Sequence, residues 1–329
     1  MFMNSSKMII FMNLILSTMI MISNNSWIIS WMLMEINLLS FIPLMFNKNH
    51  WSSESLMKYF FIQTLASLMI FFFILTMWNY MSNNIIMMIN LFLMIKLGSS
   101  PFHYWYIQII ESLSWMMFFF ISTWQKIMPL IMLTYNFNNN LLIMMIYLNL
   151  IFSFIGGINQ TSLRKILGYS SLNHISWMFS SMLMNLNLMI FYLMIYLIMM
   201  LNICLMLNIS NMNMLTQMFY FNNYKLNMMF FSMIFFSLAG IPPFLGFIPK
   251  WMIINYLMMN KFIFLNLFMI SSTLIVLFFY MNMMYKMMLF NKFKMKWYIN
   301  FKSKSLINMM MLNLTSTLFV FLMMYIYMC

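Results

Sequence analysis

Four charged residues, Glu35, Lys96, Lys126 and Lys250, stand inside stretches apolar enough to cross a bilayer. A lysine or glutamate near the middle of a membrane helix costs about 2.5–3.5 kcal/mol on insertion scales, and residues kept at that cost usually face a polar interior and act on protons or ions. The whole chain has only 3 acidic residues among 329, so the position of Glu35 carries unusual weight. Its side chain is too short to reach an interface from the middle of residues 27–46. Burial could simply keep the acid neutral. The favoured expectation is a carboxylate whose charge depends on a nearby cation, and Lys96 is the expected partner.

Lys96 lies halfway through residues 85–107, two residues before a Gly98–Pro101 interruption. Such an interruption is expected to free backbone carbonyls and admit water, giving a buried ammonium somewhere to exchange its proton. Burial favours the neutral amine and a nearby carboxylate favours the ammonium. Moving the carboxylate would therefore switch the lysine between holding and releasing a proton. Lys126 sits mid-span in Trp124-Gln125-Lys126-Ile127-Met128-Pro129 with no acidic partner on its own segment, which suits a proton relay. The plainer alternative is a lysine held by carbonyls freed at Pro129. Lys250 follows a second interruption, in Phe247-Ile248-Pro249-Lys250-Trp251, and a small shift of boundary would bring it to an interface. His103 and His174 could extend a relay, since imidazole passes a proton between its two nitrogens; each could equally be a buried histidine satisfied by one hydrogen bond. His50, Glu54 and Glu111 are expected at the surface, in loops or at a span end.

These residues need a membrane scaffold to position them. Hydrophobic residues make up 65% of the chain, charged residues 6%, and mean hydropathy is +0.91, which excludes a soluble domain. The predicted fold class is an all-α polytopic membrane protein, a single bundle over residues 1–329. Eleven spans are expected, near residues 8–22, 27–46, 59–77, 85–107, 115–135, 141–158, 168–184, 188–207, 227–258, 262–285 and 306–328. The ninth is too long for one straight crossing and carries Gly240, Pro242, Pro243, Gly246 and Pro249, so it is read as a broken helix. With this count one face of the membrane receives Lys7, Lys48, Lys58, Arg164, Lys165, Lys225, Lys292, Lys294, Lys296, Lys302 and Lys304, and the other only Lys261. That is the positive-inside asymmetry. It predicts a matrix-facing N-terminus and a C-terminus in the intermembrane space. Gly98-Ser99-Ser100-Pro101-Phe102 and Gly240-Ile241-Pro242-Pro243-Phe244 share a GxxPF pattern five spans apart, an odd offset that points the two elements in opposite directions. This pattern predicts an inverted repeat with two broken helices, with half-repeats near 8–135 and 141–285, a basic matrix loop at 286–304 and a terminal helix at 306–328.

Composition also points to a source. There are 52 Met and 37 Phe, no Asp, two Ala and two Val. The abundant types share A/T-rich codons, and ATA reads as Met in the animal mitochondrial code, so a gene on an A/T-rich mitochondrial genome is expected. Met as a flexible gap-filler would not explain the shortage of the small residues favoured at membrane helix contacts. Cys204 and Cys329 have no CxxC or metal-like spacing, and neither a disulfide nor a metal site is indicated. No small-residue cleavage site follows the first apolar run, so no removable signal is expected. The six lysines of 286–304 suit anionic phospholipid, cardiolipin in particular, or matrix-side partners; nucleic acid is not expected between membrane spans. Gly156-Gly157-Ile158-Asn159-Gln160-Thr161 lacks the Gly-Lys-Ser/Thr ending of a phosphate loop.

Several ordered blocks resemble a known family. Trp31-Met32-Leu33-Met34-Glu35-Ile36-Asn37-Leu38-Leu39-Ser40-Phe41-Ile42-Pro43 looks like the early glutamate segment of the subunit 2 family of mitochondrial NADH:ubiquinone oxidoreductase, respiratory complex I. So do Lys96-Leu97-Gly98 with Pro101-Phe102-His103-Tyr104-Trp105, and Thr123-Trp124-Gln125-Lys126 with Pro129. Residues 156–165 and 240–251 match as well. The blocks cover about two-thirds of the chain, residues 31–251. The resemblance implies an antiporter-like membrane-arm subunit of the proton-translocating NADH:ubiquinone reductase, in the mitochondrial inner membrane among other membrane-arm subunits. It implies that Glu35 and Lys96 form a coupling pair, that Lys126 is the central relay and that Lys250 lies toward the exit. NADH, FMN, iron–sulfur clusters and ubiquinone would be bound by other subunits, and no cofactor by this chain. Many relatives carry fourteen helices; this chain resembles the shortened animal form lacking the first three. Two rival functions are a stand-alone cation/proton antiporter and a structural spacer without its own proton path.

Overall fold

The computed structural model describes residues 5–46, 50–79, 82–217, 225–242 and 244–289. Side chains at 78–79, 225–230 and 286–289 are not described. The basic loop at 286–304 lies outside except for the backbone of 286–289, and the terminal helix at 306–328 lies wholly outside. The described residues are helical almost throughout, and an isolated bridge between Ser162 and Met214 is the sole β-type pairing among them. A chain in lipid must satisfy its backbone internally, and the helix does so within one segment.

The chain divides into two units, residues 1–145 and 146–329. In the first, α1 (Ser5–Ser23), α2 (Trp27–Met45) and α3 (His50–Asn79) pack in sequence, and α3 also packs on α4 (Asn83–Leu97) and α5 (Tyr104–Ser112). A continuous helix comes next: α6 (Trp115–Phe119), a π-helical turn (Phe120–Trp124) and α7 (Gln125–Tyr135). α7 packs on α4 and α1. The Tyr135 hydroxyl donates to the Asn24 carbonyl at 2.5 Å, fixing the end of α7 to the α1–α2 turn. Trp31 fastens α2 to α3, its indole N–H donating to the Ser67 carbonyl at 2.9 Å while its ring stacks on Phe71. α8 (Asn139–Ile158) runs through the division between the units.

In the second unit α9 (Leu163–Met184) is the central helix, packed against α10 (Leu186–Ser210), α12 (Phe247–Met259) and α13 (Ile263–Leu289). α11 (Lys225–Ala239) packs on α10 and α13. α9 carries Ser170, Ser171, Asn173, His174, Ser176, Ser180 and Ser181, all buried. Its serines return their hydroxyls to carbonyls three residues back, as with Ser176 to Asn173 at 2.6 Å, so their burial leaves these donors satisfied.

Among the described residues, seven helical stretches are long and apolar enough to cross a membrane: α1, α2, most of α3, α6 to α7, α8, α10 and most of α13. Large apolar side chains stand exposed along them, such as Met8, Met12 and Leu16 on α1 and Phe61, Leu65 and Phe72 on α3. That surface suits lipid or apolar partners, not water. α3 begins at His50, nine residues earlier than the span expected from 59, so His50 and Glu54 lie on its first turns and not in a loop. Its 30 residues reach about 45 Å, beyond a hydrocarbon core of about 30 Å. Its first turns can therefore carry charge: Glu54 and Lys58 pair at 2.7 Å, both substantially exposed.

The two interruptions lie where the glycines and prolines stand, and their first turns share one hydrogen-bond pattern. After α4, Gly98 takes φ +67° and its N–H bonds the Ile95 carbonyl, while Ser99 N–H reaches Met94. After α11, Gly240 takes φ +79°, bonding Ser237, while Ile241 reaches Phe236. Both are left-handed helix caps in which glycine avoids the Cβ clash. A Cβ on Gly98 would also stand 2.9 Å from the Cβ of Tyr106. Gly98→Ala is expected to destabilise the folded subunit by about 1–2 kcal/mol, the cost of a left-handed L-residue. A lower melting temperature of the purified membrane complex would register it; an unchanged one would count against this account of the cap.

Candidate functional site

Lys96 occupies the last turn of α4, where a cation suits the carbonyl end of the helix. It is 7% exposed. Two of the carbonyls freed at this break accept hydrogen bonds from side chains of neighbouring helices, while a water-sized cavity adjoins Lys96 and Leu97. Gln63 of α3 donates to the Lys96 carbonyl at 3.2 Å, and the Trp105 indole donates to the Ile95 carbonyl at 3.1 Å. Side chains from neighbouring helices thus complete the cap, and the ammonium of Lys96 is left to point elsewhere: its Nζ lies 3.9 Å from Met34 Sδ. Glu35, next to Met34, is half-buried and within Coulombic range of Lys96. The two do not form a direct ion pair, and Glu35 Oε1 is buried without a hydrogen-bond partner among the described residues.

Lys126 stands on the first turn of α7, immediately after the π-helical turn, and is 3% exposed. A π turn inserts one residue and swings the downstream helix by about 100° around the axis. The Thr123 hydroxyl donates to the Phe119 carbonyl inside this turn. The result places Nζ of Lys126 over the Tyr106 ring, 4.9 Å from its centroid, a cation–π contact reaching from α7 to α5. Pro129 lies inside the continuing α7.

Lys96 and Lys126 line the same cavity, together with Tyr59, Gln63, Trp105, Tyr106 and Gln125. A second cavity is lined by Lys96, Met34, Asn37, Gln63 and Gln125. Each has about 20 Å³ open to a water centre, room for one molecule. Between them Asn37 and Gln125 exchange two hydrogen bonds, Asn37 Nδ2 to Gln125 Oε1 at 3.0 Å and Gln125 Nε2 to Asn37 Oδ1 at 3.3 Å. Gln63, Asn37, Gln125 and Tyr59 were not anticipated from the sequence. The available signal was a Gln or Asn inside an apolar run. In a chain rich in Asn that signal is diluted, but Gln63 and Gln125, within spans, stood out in principle. His103 is half-buried at the start of α5 and hydrogen-bonds the Pro101 backbone, outside the linings of both small cavities.

In the second unit Lys250 is firmly internal, 7% exposed on the first turn of α12. Its ammonium donates to the Ala239 carbonyl at 2.7 Å and to Leu238 at 3.4 Å, closing the carbonyl end of α11. It also lies 5.8 Å from the Trp177 ring centroid. His174, one turn before Trp177 on α9, is 3% exposed; its Nδ1 is 2.8 Å from the Tyr192 hydroxyl and its ring lies against Tyr196. Each unit therefore holds buried ionisable groups fixed by neighbouring helices. Glu111 is exposed and, with Glu54, Lys58 and Gln108, lines a larger cavity of about 550 Å³ at the start of α3 and the end of α5.

Residues 24–277 match the family described as NADH:quinone oxidoreductase/Mrp antiporter, TM. NADH-ubiquinone oxidoreductase chain 2 of Anopheles gambiae is 38% identical over 320 residues, covering 91% of each chain. That of Locusta migratoria is 37% identical, covering 93% of this chain and 92% of its own. Among solved structures, a chain of respiratory complex I from Thermus thermophilus superposes with a TM-score of 0.85 at 15% identity, covering 96% of this chain and 78% of that one. A chain of an archaeal membrane-bound sulfane sulfur reductase gives 0.79 at 16% identity, covering 94% and 72%. The structural likenesses establish an antiporter-like membrane fold. With buried lysines on interrupted helices and chain-length relatives above 30% identity, the chain belongs to the NADH:quinone oxidoreductase/Mrp antiporter membrane family, and within it to the NADH-ubiquinone oxidoreductase chain 2 proteins.

Proposed function

We propose that this subunit moves protons through half-buried Glu35 and buried Lys96, Lys126 and Lys250 while the complex transfers electrons from NADH to ubiquinone. Membership of the family makes it a membrane subunit of NADH-ubiquinone oxidoreductase. The observation that carries the path is the cavity shared by Lys96 and Lys126, with water-sized space between two buried amines. One ordered water bridging them would let a proton pass without either side chain leaving its helix. Glu35 acts on that exchange through its charge: closer, it holds the proton on Lys96; further, it releases it. His103 and His174 are proposed as secondary relay groups.

The same reading extends to location, topology and partners. The mitochondrial inner membrane is the proposed location, with the N-terminus in the matrix and the C-terminus in the intermembrane space, on the asymmetry of Lys and Arg. The proposed topology has eleven crossings and half-repeats near 8–135 and 141–285; the equivalent caps at Gly98 and Gly240 support an inverted repeat. Other membrane-arm subunits and anionic phospholipid, cardiolipin among them, would cover the exposed apolar surface. NADH, FMN, iron–sulfur clusters and ubiquinone would reside on other subunits.

Glu35→Gln tests the coupling role. It removes the charge and keeps the size, so the complex should assemble. Protons pumped per NADH should fall by roughly 10-fold, with Glu35→Asp intermediate, if the carboxylate contributes about 1.4 kcal/mol to the proton's transfer. Proteoliposomes of intact complex with a pH-sensitive dye give the reading. Wild-type pumping in Glu35→Gln would remove Glu35 from the mechanism.

A further inference from the structure

The amide pair Asn37–Gln125 is the strongest feature that the proposed path does not use. Asn37 is on α2, two residues beyond Glu35; Gln125 is on α7, immediately before Lys126. Asn37 is 3% exposed. Gln125 lines both small cavities, as do Lys96, Tyr59 and Gln63. Among these residues Gln125 alone is hydrogen-bonded to Asn37, so it links the space shared by Lys96 and Lys126 to the Asn37 side chain. Each amide gives one N–H and one oxygen to the other, which fixes the orientation of both.

We propose that Gln125 is a positioning residue that gates proton exchange between Lys96 and Lys126, and that its pairing with Asn37 reports the position of the Glu35 helix to that gate. The chemistry lies in what an amide can do without titrating. Its oxygen accepts from an ammonium, and its NH2 donates to a neutral amine or to water. Whichever end faces the cavity favours one protonation state of the adjacent lysine. While Asn37 holds the pair, that choice is fixed. Glu35 and Asn37 are two residues apart and so lie about 200° apart around α2. A turn of α2 that brings Glu35 toward Lys96 carries Asn37 away from Gln125 and releases the amide to rotate. The Met128 sulfur, 3.2 Å from Asn37 Nδ2, offers Asn37 a weaker alternative acceptor on α7. Asn37 is buried and Gln125 half-buried, so breaking the pair strands the Asn37 amide in a low-dielectric site and leaves the held state well defined.

This inference rests on the proton path proposed above, and its test separates the two. Asn37→Leu, Gln125→Met, the double variant Asn37→Leu/Gln125→Met and the exchange Asn37→Gln/Gln125→Asn are compared in intact complex in proteoliposomes, beside Lys126→Met. Gln125→Met leaves the buried Asn37 amide, and Asn37→Leu the half-buried Gln125 amide, without its partner, which could impair assembly. The double variant replaces both by apolar groups and should be close to neutral for stability. Two quantities are read: protons pumped per NADH, and the solvent deuterium isotope effect on pumping. The double variant should lose about three-fold or more of its protons per NADH and show a raised isotope effect, as expected when proton transfer becomes limiting. NADH oxidation by uncoupled vesicles should change little. The exchanged pair restores the amide contact and should recover most of the pumping. Normal stoichiometry and isotope effect in the double variant, with Lys126→Met defective, would overturn the gate and leave the path. Recovery absent from an assembled exchanged pair would also overturn it. Normal pumping in Lys126→Met would overturn the path itself.

Discussion

Lys126→Met is expected to give an assembled complex whose NADH-driven proton pumping is lost by an order of magnitude, about 10-fold or more. The substitution keeps an unbranched side chain of similar bulk at a position 3% exposed, so the local packing is preserved. The substitution removes the cation over Tyr106 and the only titratable atom that Lys126 contributes to the shared cavity. The cation–π contact accounts for about 2 kcal/mol at such a desolvated site, which a large membrane complex tolerates. Lys126→Arg sharpens the reading. Guanidinium stays charged at any working pH, so it keeps the cation and the aromatic contact while refusing to give up a proton. If charge alone mattered, Arg would pump and Met would not; if proton exchange matters, both fail. Dye-monitored acidification by proteoliposomes of purified complex decides it, and normal pumping by both variants would remove Lys126 from the path.

Much of this arrangement was legible in the residues. The runs of apolar residues located the helices, because in lipid an uninterrupted apolar segment has little alternative to a helix. Gly98 and Gly240 marked the breaks, because positive φ with a close neighbour excludes side chains there. Burial of Lys96, Lys126 and Lys250 agreed with their depth in those runs. Contacts between helices were not legible. That Gln125 would pair with Asn37, 88 positions away, depends on a π turn at Phe120–Trp124, and neither the turn nor its one-residue rotation has a composition signature. The partners of the Gly98 break were hidden for a related reason. Its carbonyls are freed by local sequence, but Gln63 and Trp105 fill them from elsewhere in the bundle. The early start of α3 reflects a helix that extends past the bilayer, where a Glu54–Lys58 pair at i,i+4 is compatible with either a loop or a helix until the backbone is seen.

A cap of α11 and the proposed proton carrier would be the same group in Lys250, and a single substitution does not separate the two. Its ammonium closes the carbonyl end of α11 through Ala239 and Leu238, and the same nitrogen would carry the proton. Lys250→Met leaves those carbonyls buried without this donor, at about 1–3 kcal/mol for each unsatisfied group, and exposes the negative end of the α11 dipole. A steep fall in assembled complex is expected, together with loss of pumping in the remainder. Lys250→Gln keeps a donor only one bond shorter, able to reach the same carbonyls with a small shift of α12, and it carries no exchangeable charge. Arginine is the poorer control, because the space is tight: a Cβ on Gly240 would already lie 2.9 Å from Nζ. The two roles then predict different ratios. If Lys250 only caps α11, Gln restores assembly and pumping together. If it carries protons, Gln restores assembly while pumping per NADH stays low, so the ratio of proton flux to assembled complex, measured on the same preparation, assigns the residue.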